Sequence, residues 1–294
     1  MITRRRALSL LAAAPLVAQA ACKRSTRLRI GSKNFSESVL LGEILTQQLA
    51  RRGIAADHKE SLGGTFVCHQ AMLSADLDAY VEYTGTGLVA ILKDERDPPL
   101  TDPAQVRAAV ERGYAEKFAI SWLPALGFDD TFAILVRRAD AKEHALSKVS
   151  DLASRASQMR AGFGYEFVER GDCAGFMKAY GLTFRDPPMT MELGLTYRAL
   201  AQSTVDVIAG NSTSGLVDKL DLVQLADDKR FFPPYEAAPL VRKAILDARP
   251  EVSEALSVLA GKIDTKRMRA MNQAIDADGR APADVARELI ASLG

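Results

Sequence analysis

The chain has 294 residues, a formal net charge of +1, 48% hydrophobic and 26% charged residues. That length makes one large domain or two lobes of ordinary size, and the composition is that of a soluble globular protein. The near-neutral charge excludes an obvious pull towards nucleic acid, and three cysteines exclude a disulfide scaffold.

The N-terminus reads as an export leader over residues 1–21. Arg4-Arg5-Arg6 is a positive n-region of twin-arginine type, and Leu8 to Val17 is an apolar run of about ten residues, too short to span a bilayer. Ala18-Gln19-Ala20 fits a small-x-small cleavage site, and Cys22 follows. Cleavage after Ala20 would release a soluble protein. Cleavage before Cys22 would leave a lipoprotein anchored through that cysteine, although Gln19 stands where such signals usually carry Leu. Losing Arg4, Arg5 and Arg6 takes the formal charge from +1 to −2.

Arg27 to Gly31 predicts a short strand that ends in the polar loop Ser32 to Ser36. Ser36 is the expected N-cap of a helix with Val39, Leu40, Ile44, Leu45 and Leu49 on its apolar face, closing near Gly53. Gly63-Gly64-Thr65 opens a second helix. Ala79 to Tyr83 then has strand character, and it breaks at Thr84-Gly85-Thr86-Gly87 before apolar residues resume at helical spacing. A strand turning on glycine and hydroxyl residues into a helix is where open α/β sheets bind ligands. Tyr83 and Thr86, three apart, both face that corner. These are repeated βα units of a largely parallel sheet.

Lys93 to Asp102 is a surface loop, with Asp102 as N-cap and Pro103 as first residue of a helix running to about Phe118. Strands are expected at Ala119 to Leu123, Thr131 to Val136, Val205 to Ala209 and Leu222 to Leu225. Helices are expected from Ser150, across Met191 to Gln202, and through the last sixty or so residues. Ala161 to Asp172 and Gly210 to Gly215 are further candidate ligand loops, and Phe231 to Tyr235 is a rigid aromatic connector.

No motif carries covalent or hydrolytic chemistry: there is no nucleophile elbow, Walker loop or dinucleotide fingerprint. His58, His69 and His144 show no metal spacing with one another or with cysteine. Cys68 and His69 are neighbours on a helix, so they diverge by about 100 degrees and do not form a nucleophile–base pair. Cys68 and Cys173 read as two buried thiols rather than a bridge. Aromatics and hydroxyls at strand ends suit recognition, and aromatic faces can cage a soft cation.

The ordered motifs IGSKNFSES, GGT, DLDAYVEYTGTG, LGFDDTFAILVR, FVERGD, VDVIAGNSTSGL, LADDKRFFPPYEAAPLVR and LAGKID give the chain a family. From Leu28 to about Leu289 it resembles the substrate-binding proteins of ABC importers for quaternary-amine osmoprotectants (glycine betaine, choline, carnitine, proline betaine). The resemblance implies an α/β, type II periplasmic-binding-protein fold, with two lobes closing on a ligand. Crossovers near Asp130 and Pro234 would make lobe one 27–130 plus 235–294 and lobe two 131–234. It also implies a monomer in the periplasm, soluble or lipid-anchored, that delivers a small solute to a permease. No enzymatic activity, cofactor, metal or nucleic acid is implied.

The same resemblance carries a ligand set. Tyr83, Phe132 and Tyr235 match aromatic walls around a trimethylammonium head, with Phe132 where Tyr is usual. Thr86 is a neighbouring polar contact, and the backbone carbonyl of Asp130 would point at the cation. Arg170 matches the clamp on a ligand carboxylate. Asn211 departs from the pattern, standing where an aromatic is expected. That loss removes about 1 to 2 kcal/mol, or about tenfold in affinity, and opens a polar gap. A non-quaternary solute and a ligand-sensing subunit therefore remain as alternatives. Without the resemblance, Tyr83, Phe132 and Tyr235 read as core aromatics and Thr86 as a helix cap. Arg170 then reads as a surface arginine paired with Glu169 or Asp172, and Asn211 as a turn residue with positive φ. An enzyme on this fold would have to use Cys68, Cys173, Glu82 or Asp172.

Overall fold

The computed structural model describes residues 27–293 except 95, 97, 98 and 171. The expected leader and Cys22 lie outside the described residues.

In chain order the strands are β1 (Leu28–Gly31), β2 (Ala56–Lys59), β3 (Ala79–Tyr83), β4 (Ile120–Trp122), β5 (Phe132–Arg137), β6 (Ala161–Gly164), β7 (Met189–Met191), β8 (Val207–Asn211), β9 (Leu222–Gln224) and β10 (Ala237–Arg242). They form two five-stranded sheets of order β2-β1-β3-β10-β4 and β7-β6-β8-β5-β9. The sheets are built alike. In the first, β1 runs parallel to β2 and β3, while β10 is antiparallel to β3 and β4. In the second, β6 runs parallel to β7 and β8, while β5 is antiparallel to β8 and β9. So the largely parallel sheet expected from the βα repeats is mixed. The antiparallel member in each sheet is the strand that has just arrived from the other, β5 or β10. The two crossing segments touch at an antiparallel bridge between Asp129 and Glu236.

The helix Ser36–Arg51 buries Leu40, Leu41, Ile44, Leu45 and Leu49. The C-terminal helix Pro282–Ser292 packs on it, and Arg51 Nη1 donates to the Ile290 carbonyl at 2.7 Å. Ser36 does not cap this helix. Phe35 is the extended residue before it, and no side chain caps there. Instead Ser38 Oγ accepts from the Lys33 N–H at 2.8 Å and fixes the loop after β1. Gly53 does close the helix region with φ +73°. Asp102 caps Pro103–Phe118 as expected, accepting from Gln105 N–H at 2.9 Å.

Two edge strands escaped the sequence pattern. β2 reads Ala-Asp-His-Lys, with only its first residue buried. β7 reads as the start of a helix, but the helix there is Leu193–Ala201, capped by Glu192 through Gly194 N–H and Leu195 N–H. β3 ends at Tyr83 as expected, and the helical turn begins at once: Thr84–Thr86 runs into a π-turn Gly87–Ile91. Val149–Ser154 is 3₁₀ rather than a longer helix. Cys68 and Cys173 are both free and buried. Among the described residues no helix is long and apolar enough to cross a membrane.

Candidate binding site

β3 is buried along its whole length and delivers Tyr83 to its carboxyl end. The Tyr83 hydroxyl donates to Glu37 Oε1 at 2.6 Å, so the ring is held in place. Phe35, from the loop after β1, stacks on it with ring centres 6.5 Å apart. Across the cleft, Phe132 opens β5 and is paired in register with Asn211 at the end of β8. Its ring meets Tyr235 edge-on at 5.8 Å and Phe167 at 4.8 Å. Tyr235 leads into β10 from the returning crossing segment. Its own N–H donates to Asp129 and its carbonyl accepts from Asp130 N–H at 3.1 Å.

These rings enclose a cavity of about 80 Å³ whose wall includes Tyr83, Thr86, Asp130, Phe132, Arg170, Asn211 and Tyr235. All seven sequence-nominated residues are therefore brought together. Arg170 is not a surface residue: its side chain is 3% exposed, with Nε 3.0 Å from Asp172 Oδ2. Its guanidinium carbon lies 5.2 Å from the centre of the Phe132 ring. Arg170 Nη2 and the Tyr235 hydroxyl are buried and lack a sound hydrogen bond among the described residues. Burial raises the Tyr235 pKa, so the phenol stays protonated.

The Asp130 side chain ties the end of β8 to the chamber wall, accepting from Asn211 Nδ2 at 2.8 Å and from Thr213 N–H at 3.2 Å. Burial, then the nearby Glu37, pushes its carboxyl well above the usual range. Asn211 is not a positive-φ turn residue. It is the last residue of β8, and its N–H donates to the Tyr197 hydroxyl at 2.6 Å.

Other wall residues were not singled out from the sequence. Lys33 is buried, with Nζ 2.6 Å from Glu82 Oε1 and 2.8 Å from Thr65 Oγ1. Its ammonium also sits 5.3 Å from the Tyr83 ring centre. Glu166 accepts from Thr65 N–H, which opens the helix Thr65–Leu73 where no side chain of its own caps. Burial would raise the Glu166 pKa, but the charges of Lys33 and Arg170 hold it below the usual value. The signal was position: Lys33 and Phe35 lie just past β1, and Glu166 just past β6, at carboxyl strand ends.

The other candidate groups are buried or already paired. Burial pushes the Cys68 thiol up to about 12 and raises Cys173 as well. His69 lies edge-on to Phe118, its pKa lowered by burial, and its Nδ1 has no partner among the described residues. Glu82 is committed to Lys33 and Asp172 to Arg170. Among the described residues one group has metal-ligand geometry, Glu43, His58 and Glu60, and none of these lines the cavity. Spacing between histidines and cysteines did not reveal it because its other members are glutamates. What remains is an aromatic chamber with the buried Arg170 guanidinium in its wall.

Comparison with known proteins agrees with that chemistry. The family model for the substrate binding domain of the ABC-type glycine betaine transport system matches residues 26–292. The carnitine transport binding protein OpuCC of Listeria monocytogenes is 37% identical, over 90% of this chain and 85% of its own. The glycine betaine-binding protein YehZ of Escherichia coli is 32% identical, over 98% of this chain and 96% of its own. A crystal structure of a glycine betaine/carnitine/choline ABC transporter protein superposes with a TM-score of 0.74 at 33% identity, covering 90% of this chain and 98% of the other. The two-sheet architecture is thus the two-lobed fold of periplasmic binding proteins, and the chain belongs to the family of ABC-type glycine betaine transport substrate-binding domains.

Proposed function

We propose that this protein captures a quaternary ammonium solute, such as glycine betaine or choline, and delivers it to an ABC permease. The observation that carries the proposal is the chamber itself: Tyr83, Phe132 and Tyr235 beside the buried guanidinium of Arg170. Each desolvated aromatic face is worth about 0.5 to 2 kcal/mol to a soft cation. The Arg170 guanidinium supplies a charge-assisted contact for a betaine carboxylate. Thr86 and Asn211 complete the polar part of the wall, and Asp130 holds Asn211 in position.

Lobe one is 27–130 plus 235–294 and lobe two 131–234, with the hinge at the paired crossings near Asp130 and Pro234. The Asp129–Glu236 bridge supports that hinge. Ligand closes the lobes, and the closed form docks on the permease. The protein works as an extracytoplasmic monomer, soluble or anchored through Cys22, and has no catalytic activity. The raised thiols and the committed carboxylates support the last point.

Isothermal titration with glycine betaine, choline and proline tests this. The quaternary ligands should bind, and proline should not. Silence from both quaternary ligands at millimolar concentration would sink the proposal.

A further inference from the structure

His58 lies outside the chamber, on β2 at the edge of the first sheet. That strand buries only its first residue, so apolar burial does little to hold it. Its polar side chains converge instead. Glu60 follows just past the strand, and Glu43, on the helix Ser36–Arg51, meets both. His58 Nδ1 is 2.8 Å from Glu43 Oε1 and 4.0 Å from Glu60 Oε1. The three ligand atoms lie within 4.8 Å of one another.

The ring is built into place. Its side chain is 5% exposed, and Gly42 makes room for it: a Cβ there would stand 2.2 Å from Nε2. Behind it, Nε2 is 3.0 Å from Ser32 Oγ, which accepts from Ser61 N–H at 3.2 Å and keeps a second lone pair. Nε2–H can donate there, which turns the Nδ1 lone pair towards the two glutamates. A partner on the far nitrogen orients metal-bound histidines in this way. Glu43 has similar support: Gln47 Nε2 donates to its Oε2 at 3.1 Å and leaves Oε1 facing the ring. Among the described residues neither glutamate is paired with a lysine or arginine. Two carboxylates thus face one imidazole, and a dication would balance them.

We propose that Glu43, His58 and Glu60 hold one zinc-class ion. Imidazole beside carboxylates favours zinc over magnesium or calcium, which take oxygen ligands. An ion about 2.1 Å from each donor sets the donors roughly 3 to 3.5 Å apart. The Glu43–His58 pair needs to open only slightly, and Glu60, 61% exposed, can swing inwards. Three protein ligands leave a fourth position to water. The ion ties β2 to the helix Ser36–Arg51. Through Ser32 it also steadies the loop that carries Lys33 and Phe35 to the chamber. The site does not depend on what the chamber binds.

Calorimetric titration of untagged, chelator-washed protein with zinc chloride, and with magnesium chloride as control, tests the site. Zinc should bind at one ion per chain, at least about a hundredfold more tightly than magnesium, and should raise Tm. Glu60→Gln, a change at an exposed side chain, should weaken zinc by at least about tenfold and leave the zinc-free Tm unchanged. Cobalt(II) in place of zinc should give a visible absorption band that Glu60→Gln alters. Absence of zinc binding at about 0.1 mM would overturn the proposal. Equal zinc affinity in the parent and in Glu60→Gln would also overturn it, since the ion would then sit elsewhere on the chain.

Discussion

At the scale of single residues, Arg170 is the most informative side chain in the cleft. It is buried, ion-paired to Asp172 and faces the chamber beside Phe132 and Tyr235. A buried guanidinium in a chamber wall discriminates ligands by their carboxylate. Arg170→Lys should therefore weaken glycine betaine by about tenfold or more and leave choline, which has no carboxylate, within about threefold. Paired titrations check this, and equal losses for the two ligands would assign Arg170 to structure alone. The aromatic and arginine positions were nominated through the motifs the chain shares with the family it resembles; the residues alone read as core aromatics and a surface arginine. Lys33, Glu37 and Glu166 were not nominated. Their roles depend on partners 49, 46 and 101 positions away, and no local pattern carries that information.

At the scale of elements, local chemistry read well where a cap or a turn is self-contained and poorly where an edge depends on its neighbour. Asp102 and Gly53 act where their residue types predict. β2 and β7 do not look like strands, since an edge needs only one partner and little buried surface. Asp206, in the loop before β8, shows how such pieces are tied down. Its carboxylate accepts from Arg160 N–H at 2.9 Å, from Arg160 Nε at 3.0 Å and from Arg137 Nη2 at 3.0 Å. Burial alone would raise its pKa, yet the two arginines hold it at about 2, against an ordinary 3.8. The folded form thus prefers the ionised group. Its stabilising contribution is complete above the unfolded value of 3.8 and is lost as pH falls towards about 2. Asp206→Asn should lower Tm at neutral pH, and the gap to the parent should narrow as pH falls through that window. Thermal melts across pH measure it; a gap independent of pH would contradict the assignment.

At the scale of the whole molecule, the two-lobed plan was legible from the order of motifs. The mixed direction of the sheets was not, because strand polarity is set by how the chain enters from the other lobe. Contacts between the two sheet systems span the cleft. Thr213 Oγ1 donates to Glu37 Oε2 at 2.6 Å, Arg269 Nε donates to the Ser212 carbonyl at 2.8 Å, and Glu166 accepts from Thr65 N–H. These contacts bring rings from both sides around one chamber, so Tyr83 and Phe132 line the same cavity. Removing rings should then cost affinity and some stability, since Tyr83 and Tyr235 also belong to the buried core and Phe132 packs on it.

The most direct test is a calorimetric titration of glycine betaine into the mature protein and into its Phe132→Ala, Tyr235→Ala double variant. The parent should bind, and loss of two aromatic faces should weaken it by about tenfold or more. Unchanged affinity in a folded double variant would contradict capture of the cation between these rings.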